Sequence, residues 1–146
     1  MRDVGVLLAV VIGSSSCGMG MGGARSSEAL SAATKGLSAR VEAHHARVVA
    51  AQSREAALAE VDAYATEAPP LLVAAMSACA GMMMSAPEHP EFVGELLTAA
   101  VREHAVQMHV ASTLTDVEAI CEAHVARMRA LVAHLDAMNQ MMQMMR

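Results

Sequence analysis

The most regular hydrophobic pattern in this chain lies in residues 117–145, which read VEAICEAHVARMRALVAHLDAMNQMMQMM. Its apolar and ligand-type positions alternate at intervals of four and three residues: Val117, Cys121, His124, Met128, Leu131, Leu135, Met138, Met142 and Met145. This spacing places all of these side chains on one side of an α-helix. An unbroken seam of this kind is typical of a helix that packs into a bundle.

Towards the N-terminus, a long first helix is expected to start at Ser26 or Ser27 and to reach Ala68. Pro69 and Pro70 should end it, because proline lacks an amide donor and restricts the residue before it. A second helix then starts at Pro70 and runs towards Pro87.

A third helix is expected to begin at Pro90, since proline is favoured in the first turn. Thr115 and Glu118 form a capping-box pattern that opens the fourth helix. Four helices with short connections predict an all-α, up-down-up-down four-helix bundle in which the first and fourth helices are long.

The composition agrees with a single helical domain. The chain has 146 residues, of which 55% are hydrophobic, and Tyr64 and Phe92 are its only aromatic residues. The core must therefore consist of Ala, Val, Leu and Met, which mostly favour helix. A formal charge of −5 argues against a nucleic-acid partner, because such proteins need clustered Lys and Arg.

The N-terminus has the layout of a secretory signal. Arg2 precedes the apolar run VGVLLAVVI of residues 4–12, and small residues fill positions 13–16. The run is shorter than the roughly 20 apolar residues that a membrane-spanning helix requires. Residues 1–16 are therefore expected to be a signal peptide that is removed.

Cys17 directly follows Ser14, Ser15 and Ser16, and this arrangement resembles the lipobox of bacterial lipoprotein precursors, although Ser14 stands where that motif has an aliphatic residue. The resemblance covers residues 1–17 and implies lipidation of Cys17, export to the periplasm and anchoring to a membrane. The alternative is ordinary secretion without a lipid. Residues 17–27 have the Gly/Ser content of a flexible tether, which leaves residues 28–146 for the bundle.

Ligand-type residues occupy positions on the predicted seams of the last two helices. When positions are matched by height from the turn near residues 112–115, His104 and Met108 lie level with Cys121 and His124. Two imidazoles, a thiol and a thioether suit copper, with zinc as the second choice. In ligand type alone, this set is similar to the copper sites of cupredoxins, whose β-barrel fold is not predicted here.

The same height matching predicts a second cluster at the other end of the bundle. It would bring together His44 and His45 of the first helix, His134 and Met138 of the fourth, and His89 of the connection. The alternative for these residues is ordinary packing, since methionine is a flexible core filler that can replace absent aromatic side chains.

Cys79 and Cys121 offer a competing interpretation. Two unpaired cysteines are expected to form a disulfide in an oxidising compartment. The predicted helix boundaries place them about 7 Å apart along the bundle axis, which neither supports nor excludes the bond. A disulfide would remove Cys121 as a thiolate ligand.

Several functions lack their motifs in this sequence. No Gly-rich phosphate loop follows a strand, and Cys121 and His124 lack the second cysteine of a haem-attachment motif, so no haem is expected. No catalytic arrangement is visible, and an enzyme is not predicted. The sequence therefore predicts a membrane-tethered bundle that stores or hands over a soft metal ion such as copper. The alternative is a structural lipoprotein without a ligand, which docks onto an envelope protein.

Overall fold

A computed structural model describes residues 22–82 and 90–144 of the chain, with side chains for residues 27–79 and for 98–144 except Met142. The described residues form four helices: α1 (Gly22–Val49), α2 (Arg54–Met82), α3 (Pro90–Val110) and α4 (Leu114–Met144). Each helix packs against the next in sequence, and α1 also packs against α4. The predicted all-α four-helix bundle is thereby confirmed.

The first hairpin turns at residues 50–53, not at Pro69 and Pro70. The hydroxyl of Ser53 accepts a hydrogen bond from the Ala56 amide at 3.2 Å and so caps the start of α2. The predicted first helix over residues 28–68 is wrong for this reason. α1 has 28 residues and α2 has 29, so the first helix is no longer than the second, whereas α4, with 31, is long as predicted.

α2 continues through Pro69 and Pro70 without ending. Each proline removes one backbone hydrogen bond and costs roughly 3 kcal/mol in a helix interior. Pro69 is half-buried and Pro70 is exposed, but the buried stripe of α2 continues on both sides of them, through Ala68 and Leu72. Burial of this stripe outweighs the penalty, which sequence pattern alone did not reveal.

The second hairpin turns at residues 111–113, and its cap is a reciprocal pair. The Thr113 hydroxyl accepts from the Asp116 amide at 3.1 Å, and the Asp116 carboxylate accepts from the Thr113 amide at 3.2 Å. The predicted capping box of Thr115 and Glu118 is the right type of motif, but the observed cap begins two residues earlier, at Thr113. α3 begins at Pro90, as predicted.

Two long-range contacts fix the register of α1 against α4. Arg129 makes a bidentate ion pair with Glu42 at 2.7 and 2.6 Å. Ser27 donates to the side-chain carbonyl of Asn139 at 2.7 Å, and both residues are buried. The C-terminal part of α4 therefore lies beside the N-terminal part of α1, which begins within the span expected to be a tether.

The α1–α2 and α3–α4 hairpins are related to each other by a shift of sixty residues. At the end of the first helix of each hairpin, the amides of Ala51 and Ala111 donate to the carbonyls of Val48 and Met108, at 3.1 and 3.3 Å. The caps Ser53 and Thr113 are likewise equivalent. The bundle is thus built as two similar αα-hairpins.

The core follows the same repeat. Its buried members on α1 and α2 are Leu37, Val41, Val48, Ala57, Leu58, Val61, Tyr64, Ala68 and Leu72, those on α3 and α4 are Val101, Met108, Val117, Cys121, Val125 and Met128, and Ala111 lies in the turn between α3 and α4. Among the helices described, none combines the length and apolar character that crossing a membrane requires.

Candidate metal centre

Each of the four helices contributes one buried ring at the same level of the bundle. These rings are His44 from α1, Tyr64 from α2, His104 from α3 and His124 from α4. The sixty-residue repeat makes His44 equivalent to His104 and Tyr64 equivalent to His124. Within each hairpin the two rings stack, with centroids 4.0 Å apart for His44 and Tyr64 and 3.9 Å apart for His104 and His124.

Across the two hairpins, each ring contacts the ring at the equivalent position of the sixty-residue repeat. The Nε2 atoms of His44 and His104 lie 3.3 Å apart, and Nε2 of His124 lies 3.1 Å from the hydroxyl of Tyr64. Both pairs meet nearly edge to face, at 88° and 83°. The four rings are therefore arranged about an approximate twofold axis between the two hairpins.

Cys121 breaks this symmetry and completes a group of metal-ligand type. Donor atoms of His44, His104 and Cys121 all lie within 4.8 Å of one another, and all three residues are buried. Two nitrogen ligands about 2.0 Å from a tetrahedral metal ion are themselves about 3.3 Å apart. The observed separation of the two Nε2 atoms matches this value, so the two imidazoles already have the spacing of metal ligands.

Glu60 orients the first of these ligands. Its carboxylate Oε1 lies 3.3 Å from Nδ1 of His44 and also accepts from Arg40 at 2.7 Å. Burial alone would raise the pKa of Glu60, but hydrogen bonds from Arg40 and Arg47 outweigh burial and hold the pKa below its ordinary value. An ionised carboxylate can only accept, so His44 carries its proton on Nδ1 and directs the Nε2 lone pair towards His104.

The histidines of the centre are neutral at physiological pH. Burial lowers the pKa of His44 to about 4, that of His104 to about 3 and that of His124 to about 4. Burial also raises the pKa of Cys121 to about 12, with a smaller contribution from the nearby carboxylates of Glu122 and Glu60. Both imidazoles are thus ready to donate lone pairs, whereas the thiol must lose a proton before it can bind a metal.

One polar atom of the centre has no hydrogen-bond partner. Nδ1 of His104 is buried and unpaired, whereas its Nε2 faces His44. Because His44 carries its proton on Nδ1, a hydrogen bond between the two Nε2 atoms requires a proton on Nε2 of His104, in the space where an ion would bind. If this proton moves to Nδ1, Nε2 becomes a ligand without a change in charge.

The structure brings together only part of the predicted first site. His104 and Cys121 belong to the ligand group, and the third member is His44, which was predicted at the opposite end. His124 lies next to the group, stacked on His104 and hydrogen-bonded to Tyr64. Met108 is fully buried among the apolar side chains of the core.

The predicted second cluster does not form as described. Met138 packs near Leu30 and Cys79, about 21 Å along α1 from His44, and His134 is exposed. The height matching failed because it assumed that the first helix ended at Pro69. His45 is half-buried on α1, and His89 lies outside the described residues.

Cys79 and Cys121 are both free thiols. Cys79 lies with Leu30 at one end of the bundle, about 22 Å along α2 from Tyr64, whereas Cys121 lies in the main core. This separation rules out the disulfide that the sequence had left open. Cys121 therefore remains available as a ligand. Cys17, predicted to be lipidated, lies outside the described residues.

Sequence reasoning missed Tyr64 and Glu60. Both residues belong to α2, one turn apart, and this spacing places them on the same face of the helix. A comparison of the chain with itself at a shift of sixty residues would have paired His44 with His104, because Val41 and His44 then align with Val101 and His104.

Comparisons with known proteins give no relative for this chain. No protein-family model matches it, and neither a curated protein nor a solved structure is similar to it. Its function is therefore inferred from the chemistry of the centre.

Proposed function

We propose that this protein binds a single soft metal ion through His44, His104 and Cys121 and serves to store the ion or hand it over. The observation that carries the proposal is the convergence of three buried ligand-type donors within 4.8 Å, contributed by three different helices. An imidazole–thiolate set suits copper or zinc, and calcium or magnesium would require oxygen ligands instead.

Charge favours monovalent copper over zinc. A thiolate with two neutral imidazoles has a charge of −1, so Cu(I) gives a neutral site, whereas Zn(II) leaves an excess positive charge. Glu60 cannot offset that excess, because Arg40 and Arg47 already bind its carboxylate. An uncompensated charge is costly in a buried site, which makes Cu(I) the first choice and Zn(II) the second.

The N-terminal sequence extends the proposal to the location of the protein. A signal-like segment followed by Cys17 supports export and attachment to a membrane surface through a lipid. Burial of Cys121 would protect its thiol from oxidation in such a compartment. Methionines on the exposed end of α4, Met141 and Met144, would provide thioether donors near a partner protein of the envelope.

A structural protein without a ligand is the second candidate. It is favoured by the contacts among the four rings, which stack and hydrogen-bond with one another. The unpaired Nδ1 of His104 distinguishes the two functions, because a core selected only for stability gains nothing from a buried orphan acceptor.

An anaerobic titration of the full chain with Cu(I) against a chromophoric chelator tests the proposed function. We expect one ion per chain. Loss of a residue that only supports a ligand costs about 10- to 100-fold in metal affinity, so Cys121→Ser, which removes a ligand itself, should cost at least about 100-fold. The matched control is Cys79→Ser, which removes the other buried thiol and should leave affinity unchanged. Equal affinity in Cys121→Ser and the unaltered chain would overturn the proposal.

A further inference from the structure

A cleft of about 320 Å³ opens between α3 and α4 beside the four rings. Its lining includes His104 and His124 together with Ala123, Ile120, Glu103 and Arg127. His104 is thus shared between this cleft and the ligand group. A single ring separates the space inside the cleft from the place where an ion would bind.

The equivalent face of the other hairpin is occupied by charged side chains. Arg40 binds Glu60 at 2.7 Å and Glu67 at 2.6 Å, and Arg47 binds Glu60 at 3.2 Å. Arg40 also lies over the ring of Tyr64, 5.2 Å from its centroid. These four residues form an ion-pair cluster across the face between α1 and α2.

The sixty-residue repeat shows how these two faces differ. The positions equivalent to Arg40, Arg47, Glu60 and Glu67 are Ala100, Gln107, Ile120 and Arg127, and all four of these line the cleft. No acid–base pair can form across α3 and α4 at these positions, because the only charged residue among them is Arg127. The ion-pair cluster on one face is replaced by open space on the other.

We propose that the α3–α4 cleft is the route by which the metal ion reaches and leaves its ligands, and that the α1–α2 ion-pair cluster closes the alternative route. This inference rests on the proposed function. Nδ1 of His104 is buried and has no hydrogen-bond partner, and its ring lines the cleft. Its lone pair therefore offers the ion an additional ligand along this route.

The size of the cleft indicates what enters it. One water molecule has a share of liquid volume of about 30 Å³, so a bare ion needs far less space than the cleft provides. The cleft is large enough for an ion that is still bound to a small carrier with soft ligand atoms, of about the size of a tripeptide. Exchange of ligands inside the cleft avoids release of free Cu(I) into water.

Transplanting the ion-pair cluster tests this route. The double variant Ala100→Arg, Ile120→Glu copies Arg40 and Glu60 onto the α3–α4 face, and Ala123→Leu fills the cleft without added charge. Stopped-flow measurements follow Cu(I) uptake from glutathione and its loss to a chromophoric chelator under anaerobic conditions. We expect both variants to slow uptake and release by about tenfold or more, a barrier increase of roughly 1.4 kcal/mol, and Ala123→Leu to leave the equilibrium affinity unchanged.

The matched control is Ala126→Leu, an exposed position on α4 outside the cleft lining, which should leave both rates unaltered. Rates equal to those of the unaltered chain in a folded Ala123→Leu protein would overturn the proposed route. Equal slowing in Ala126→Leu would overturn it as well. If the unaltered chain does not bind Cu(I), the proposed function itself fails, an outcome that equilibrium titration separates from an effect on rate.

Discussion

The Nε2 atoms of His44 and His104 lie 3.3 Å apart in the core, although these residues belong to different hairpins and different copies of the internal repeat. The contact links α1 to α3, two helices that are not neighbours around the bundle. An ion bound between these imidazoles would therefore connect the two hairpins. Cys121 of α4 adds a third link, so the centre joins three of the four helices.

Metal binding should consequently stabilise the folded chain. A ligand that binds only the native state at a free concentration of 100 times its Kd adds about 2.7 kcal/mol to the free energy of unfolding. We expect Cu(I) to produce this increase in anaerobic denaturant unfolding followed by circular dichroism. Cys121→Ser should abolish the increase, and Cys79→Ser should retain it. An equal increase in both variants would place the ion elsewhere.

Glu60→Gln should weaken metal binding although Glu60 is not a ligand. The carboxylate holds the Nδ1 proton of His44 and thereby directs the Nε2 lone pair, and an amide at this position can also donate. We expect about a 10- to 100-fold loss of Cu(I) affinity, measured by chelator competition. Glu67→Gln is the control, because Glu67 binds Arg40 and makes no contact with the histidine. No difference between these two variants would remove Glu60 from the centre.

Acid should destabilise the metal-free protein through its buried histidines. The folded-state pKa values of His44, His104 and His124 are about 4, 3 and 4, below the ordinary value of 6.5 in an unfolded chain. Above pH 6.5 neither state is protonated at these positions. As the pH falls below 6.5, the unfolded chain takes up protons that the folded chain excludes, so stability decreases until the folded pKa values are reached.

The slope of this pH dependence is measurable by urea unfolding between pH 7 and pH 4. Each histidine contributes up to about 1.4 kcal/mol per pH unit within that window. Replacement of exposed His134 by Gln is the control and should keep the slope, whereas His104→Gln should reduce it. A slope unaffected by His104→Gln would mean that this ring takes up its proton over the same pH range in the folded and the unfolded chain.

Tyr64→Phe separates stability from metal binding. The phenol is buried and its pKa is raised by burial, so the hydroxyl keeps its proton and pairs with Nε2 of His124. Its removal leaves a buried imidazole nitrogen unpaired, which costs about 1–3 kcal/mol in the free energy of unfolding. Cu(I) affinity should stay close to that of the unaltered chain, because neither residue is in the ligand group. A large loss of affinity with unchanged stability would assign Tyr64 or His124 to the ligand set.

The sequence allowed the helical class and the last helix to be predicted, since the seam from Val117 to Met138 repeats without a slip. Val117, Cys121, His124, Met128 and Leu135 of that seam are buried, and Val125 and Asn139 are buried as well although they lie off the seam. The start of α3 at Pro90 followed from the preference of proline for the first turn. Local patterns of this kind depend on the helix alone and on the side that it buries.

The position of the first turn could not be predicted from the same patterns. Ala50, Ala51 and Gln52 are compatible with helix, and the only cap signal is Ser53, whereas Pro69 and Pro70 indicate a break that packing overrides. This single error displaced His44 from its true level and separated it from His104. Helix patterns and height matching alone therefore could not place His44 beside His104.

X-ray absorption at the copper edge of the full chain loaded with one equivalent of Cu(I) tests the metal centre most directly. We expect two imidazole nitrogens at about 2.0 Å and one sulfur at about 2.3 Å, distances taken from typical histidine and cysteine ligation. In Cys121→Ser the sulfur contribution should disappear while the protein stays folded. A sulfur contribution that persists in Cys121→Ser, or a spectrum without imidazole, would contradict a centre formed by His44, His104 and Cys121.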